Sequence, residues 1–214
     1  MINDYFDDKL KVEKINLLLA ELHERVVVKN INLHVKDGIY PHDLHDYLNA
    51  GMKGEIQKIR LFASIAIKQQ IDKDITMMSQ ELMRIMAYGN DSQSSYRSKY
   101  QYATFLVESK QNISDGIKLL QFLLESNYSP AVCRIGVYKM LGINGFNQDL
   151  LGAKELFLAA RKNGHVRSRM LLTRMKKKYG NVFEKLTWPF FMFSDIIYTI
   201  RIGPHPDDET RLLY

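Results

Sequence analysis

The sequence predicts an all-α fold, an α-solenoid of about five stacked helix–turn–helix units. Three observations predict it. Apolar residues recur at three- and four-residue spacing, as in Ile15, Leu18, Leu19 and Leu22, or Leu119, Phe122 and Leu123. Strand-like alternation is scarce, and only five prolines interrupt the 214 residues. A residue suited to closing a helix recurs at Gly51, Gly89, Asn127, Gly164 and Gly203, at spacings of 38, 38, 37 and 39. Glycine adopts the left-handed helix-ending conformation without penalty and asparagine tolerates it.

The elements follow in order from caps and periodicity. An N-terminal helix is predicted over about 8–30, with "RVVVKNINLHV" as its frayed end and a loop. Pro41 suits the first turn of a helix over 41–50. Helix pairs are predicted over 54–69 and 74–88, 94–109 and 113–126, 129–141 and 149–163, and 166–179 and 187–202. Asp74, Asn112 and Asp149 stand where an N-cap acceptor belongs. Gly136 and the pair Ala159–Ala160 are small enough to let two backbones approach, with Leu156 and Phe157 filling the space beside them. The organisation is an N-terminal cap and loop over 1–40, a repeat array over 41–203 and a tail over 204–214.

Composition is that of a globular protein, 46% hydrophobic and 25% charged. A single cysteine, Cys133, excludes an intramolecular disulfide and fits a reducing compartment. The start "MINDYFDDKL" is acidic where a signal peptide is basic, so the expected location is cytoplasmic, with signal-less secretion an alternative. The net charge of +6 is concentrated: Arg161, Lys162, Arg167, Arg169, Arg174, Lys176, Lys177, Lys178 and Lys185 face one acid, Glu184, across 161–185. Such a run either is a solvated helix face or attracts an anionic partner.

The segment "AVCRIGVYKMLGINGFNQDLLGAKELFLAARKNGH" resembles the SEL-one-like repeat family, relatives of the tetratricopeptide repeat. The matching positions are Ala131, Ile135–Gly136, Gly142, Gly145, Asp149, Ala153, Phe157, Ala159–Ala160 and Gly164–His165. Lys139 departs from the family's usual tyrosine, and the other copies are degenerate. The resemblance is strongest over 112–172. It implies a right-handed solenoid whose first helices line a concave surface, in a non-catalytic scaffold or adaptor. By repeat phase Arg97, Tyr100, Thr104, Val137 and Met140 share that groove with Arg167, Arg174, Lys177 and Lys178. An acidic protein segment is the partner such a groove selects.

Other motifs read as plain structural features. "PHPDDE", with His205, Asp207 and Asp208, resembles a metal-binding element of zinc-dependent deacetylases, but it ends the chain here without the domain that completes such a site. His42 and His45 lie about one turn apart with no third ligand placed beside them. His165 reads as a turn residue and Cys133 as a small helix residue. No catalytic set, metal or cofactor is expected. "LTWPFFMFSDIIYTIRIG" is a poor membrane span, with Asp195 at its centre. Its Trp188, Phe190, Phe191, Phe193 and Ile197 are either buried beneath the array or tail, or exposed as a patch for a protein or an anionic membrane surface. Nucleic acid is the weakest reading, because no stacking aromatics interleave with the basic run. The expected function is protein–protein adaptor. The alternatives are a peripheral membrane adaptor, set at the inner membrane, or an immunity protein that neutralises a toxin. Oligomeric state is left open.

Overall fold

A computed structural model describes residues 9–28, 44–70, 72–89 and 93–202. Among these residues there are ten α-helices and no strand. The helices are α1 Lys9–His23, α2 Leu44–Met52, α3 Ile56–Gln69, α4 Lys73–Ala87 and α5 Gln93–Glu108. They continue as α6 Ile113–Glu125, α7 Ser129–Leu141, α8 Leu150–Lys162, α9 Val166–Tyr179 and α10 Val182–Ile202. A π-helical turn, Glu24–Val28, extends α1, so "RVVV" is a helix end as read. Pro41, Gly203 and the tail over 204–214 lie outside the described residues.

The chain divides into two compact units, Met1–Tyr102 and Ala103–Tyr214, with the boundary inside α5. In each unit the helices pack mainly on their sequence neighbours, as in an α-solenoid-like array. In the first unit α1 rests on α2 and α4, and α3 packs between α2 and α4. Its core holds Ile15, Leu19, Leu22, Leu48, Phe62 and Met86, each from the apolar stripe of its helix. On the surface of that contact Glu81 accepts from Arg84 and from Lys14 of α1. The Arg84 bond first, and Lys14 second, hold the Glu81 carboxyl down to about 2.

In the second unit α6 through α10 pack each on the next. The core of α7, α8 and α9 gathers Val132, Cys133, Ala153, Phe157, Ala160, Leu171, Leu172 and Met175. Gly136 is there because a ring fills its side-chain space: a Cβ on it would stand 2.7 Å from Phe157 Cε1. Ala160 is buried as expected, whereas Ala159 is exposed to solvent one position around the helix.

The corners refine the sequence reading. Asn127 and Gly164 both take the left-handed conformation, at φ 55° and 82°. In each, the next amide bonds back five residues, Tyr128 to Leu123 and His165 to Ala160, which satisfies a late helix carbonyl. The corner after α2 has the same pattern but centres on Gly54, at φ 95°, with Glu55 bonding to Ala50. Gly51 lies inside α2, where Ile59 crowds it, and at the end of α4 the Gly89 amide bonds back three residues to Met86. The α4 cap is Asp72, whose side chain accepts from the amides of Asp74 and Ile75; Asp74 itself pairs with Arg25 at 2.7 Å. Asn112 and Asp149 cap α6 and α8 as expected. Lys139 pairs with Asp149 at 3.1 Å. The Gly152 amide and then Lys139 hold the Asp149 carboxyl below its ordinary range.

Candidate functional site

The terminal hairpin of α9 and α10 gathers the basic run and the aromatic segment. α9 begins at a buried cap: His165 Nδ1 accepts from the Ser168 amide at 3.3 Å. From Val166 to Tyr179 it carries no acid. Three sides of this helix do different work. Leu171, Leu172 and Met175 enter the core. Arg169, Thr173, Lys176 and Lys177 turn toward α10. Arg167, Arg174 and Lys178 share the remaining side at seven- and four-residue spacing. Arg174 and Lys178 are exposed and Arg167 is half-buried. None of the three has an ion-pair partner among the described residues.

α10 starts at Val182, earlier than the expected 187, because Asn181 and Glu184 cap each other. The Glu184 amide donates to Asn181 Oδ1 at 2.8 Å and the Asn181 amide to Glu184 Oε2 at 3.1 Å. Pro189 is accommodated inside the helix.

The inner face of α10 is polar and aromatic. Asp195, 5% exposed, accepts from Arg169 Nε at 2.6 Å and from Thr173 Oγ1 at 2.5 Å. Arg169 also donates to Ser194 Oγ at 3.1 Å, and its guanidinium lies 4.4 Å from the Tyr198 ring centre. Lys176 sits 3.4 Å from the ring centre of Phe191, and Lys177 4.3 Å from that of Trp188. Each such cation–ring contact contributes about 0.5–2 kcal/mol. The seam between the two helices is therefore a row of cations on rings closed around one buried ion pair.

The outer face is the reverse. Phe183, Leu186, Phe190, Phe193, Ile197 and Ile200 follow one another at alternating three- and four-residue steps, and all are exposed. Phe190 is 79% exposed and Ile200 75%. Of the aromatic segment singled out by sequence, Phe190, Phe191, Phe193 and Ile197 are exposed and Trp188 is half-buried against α9. No described helix is long and apolar enough to cross a membrane.

The expected groove residues fall in several settings. Arg97 and Tyr100, in the first unit, are only 8% and 9% exposed, so little of either reaches a partner. Thr104 is half-buried on α5. Val137 and Met140 pack against the α7–α9 core. Lys177 belongs to the α10 seam, leaving Arg167, Arg174 and Lys178 as the outward basic strip.

Cys133, Ser168 and His165 meet in the second unit: Ser168 bonds to the thiol, and His165 Nδ1 lies 2.9 Å from Ser168 Oγ. Burial raises the Cys133 thiol. Burial, then the charges of Arg167 and Arg134, pushes His165 down to about 4. Both effects favour neutral forms, the opposite of what an activated thiolate needs. The trio acts as a helix cap and core filler. No three His, Cys, Asp or Glu side chains among the described residues gather as a metal site. His42, His205, Asp207 and Asp208 lie outside those residues.

Sequence reasoning missed the Arg169–Asp195 clasp, which joins positions on different helices. The complete outer stripe was visible in the three–four spacing from Phe183 to Ile200. Comparison with known proteins returns no match to a family model, a curated protein or a solved structure.

Proposed function

We propose that the protein is a non-catalytic adaptor built on right-handed, SEL-one-like helical repeats, which holds a partner protein by an acidic segment laid along α9. The repeat assignment is supported by one unit superposing on the next in kind: Asn112 and Asp149 as caps, Asn127 and Gly164 as left-handed corners. The sequence resemblance over 112–172 supplies the handedness.

One observation carries the binding role, the acid-free strip Arg167, Arg174 and Lys178. From first to last it spans about 16 Å at the helical rise. A surface of one sign steers an oppositely charged segment toward it and raises the encounter rate. Two arginines add forked donors that fit carboxylates two at a time. The side is formed by the same helix whose other sides are fixed in the core and against α10, so the strip is held rigid.

The test is capture of native partners by the wild-type chain and by the double variant Arg174→Glu, Lys178→Glu. The reading expects an acidic-segment protein retained by the first and lost by the second, with affinity falling as salt rises. Equal capture by both chains overturns it.

A further inference from the structure

We propose that the outer face of α10 docks into the surface of an anionic lipid bilayer, lying in its plane. The inference is independent of the α9 strip and uses the opposite side of the hairpin.

Three features point to this occupant. The first is the shape of the apolar face. Phe183, Leu186, Phe190, Phe193, Ile197 and Ile200 run the length of a helix of about 30 Å. All six are exposed, and Val182 and Ile196 widen the face on one side. Large aromatic and aliphatic side chains on one face of a helix are what an interfacial helix buries among headgroups and acyl chains.

The second is the sign of the rim. By helical spacing Lys185 and Arg201 border the face on opposite edges, and both are exposed. Long basic side chains at such edges bury their stems and keep their charges at the headgroups. Lys176 and Lys177, in the seam on the other side of this helix, are not part of the rim but add to the positive field around it. The two acids of α10 are turned away: Asp195 is buried against Arg169, and Glu184 is engaged with Asn181. An apolar face bordered by cations combines two weak membrane signals into stable binding.

The third separates a bilayer from the nearest rival, a second copy of this chain. The three–four stepping suits a helix–helix seam in spacing. In a two-fold dimer, however, the edge cations of one copy would meet those of the other, and nothing negative on α10 is free to answer them. A helix crossing the bilayer is also disfavoured, since it would carry the Arg169–Asp195 pair, and with it α9, into hydrocarbon.

The experiment uses the full-length protein in flotation with phosphatidylcholine vesicles, with and without phosphatidylserine, at low and raised salt. A companion variant, Phe190→Glu with Phe193→Glu, changes two exposed side chains, and far-ultraviolet circular dichroism checks that it folds. The expected result is binding to the phosphatidylserine vesicles only, weakened by salt and reduced at least about tenfold in the variant. Failure of the wild type to bind those vesicles at low salt overturns the proposal, as does equal binding by the variant. Sedimentation of the wild type as a dimer that the variant converts to monomer, without vesicle binding, assigns the face to a second copy instead. Binding that appears only after removal of residues 204–214 assigns it to the tail, and likewise overturns the proposal.

Discussion

Phe157 of α8 fills the space that a side chain on Gly136 of α7 would occupy, with ring atoms 2.7 and 3.0 Å from where that Cβ would stand. The two helices meet at the distance this allows, and the core around Ala153 and Ala160 depends on it. Gly136→Ala is expected to destabilise the chain by about 1–3 kcal/mol through overpacking. Phe157→Leu, tested alone and in combination, should relieve part of that cost. Urea unfolding of the four chains measures the coupling, and strict additivity would mean that the ring is not what constrains position 136.

Acid should act through His165. Its imidazole is buried and neutral, and Nδ1 must stay unprotonated to accept from the Ser168 amide. The folded pKa, about 4, lies below the unfolded value near 6.5. The unfolded chain therefore takes up the proton first as pH falls. The stability linked to this group is full above about pH 6.5 and is lost progressively toward about pH 4, by up to about 3 kcal/mol. His165→Asn keeps a cap acceptor without the titration. Its unfolding midpoint should be flatter than that of the wild type between those pH values.

The clasp between the last two helices rests on Asp195. Asp195→Ala leaves Arg169 and Thr173 facing an apolar gap, a loss of about 2–4 kcal/mol for a buried pair with one partner removed. The damage should be local, since α9 keeps its packing in the core through Leu171, Leu172 and Met175. Hydrogen exchange is expected to quicken across α10 while α7 and α8 stay protected.

Trp188 is the one tryptophan and reports on the same seam. It is half-buried with Lys177 over its ring. Acrylamide should quench it partially in the wild type and more fully in Asp195→Ala. Lys177→Ala should shift its emission without changing far-ultraviolet circular dichroism. Full quenching in the wild type would contradict the packing of α10 on α9.

Much of the fold was legible because it is written locally. The stripe Ile15, Leu19 and Leu22 is buried as its spacing indicates, and the caps Asn112 and Asp149 stand where an acceptor precedes a periodic run. Asp74 was legible only to within two residues, since Asp72 offers the same chemistry and the chain chooses by helix register. Gly51 was misjudged because glycine serves close packing as well as left-handed turns, and only the partner Ile59 tells which. The site was half legible. Its basic and aromatic composition could be read directly. Which side of α10 faces α9 could not, because that is decided by Arg169 reaching Asp195 from another helix.

The last helix thus turns its one buried charge inward and its oil outward, and added electrolyte reaches the two sides unequally. Ions hardly screen the buried Arg169–Asp195 pair that closes the inner row, while strongly hydrated salts raise the penalty for leaving the outer row wet. A concentrated sulfate buffer would therefore leave the clasp closed while pressing the outer row to find cover, whereas dilute buffer lets that row stay wet. The kind of salt thereby acts on one side of one helix of this chain, while the apolar stripes of the earlier helices are already buried.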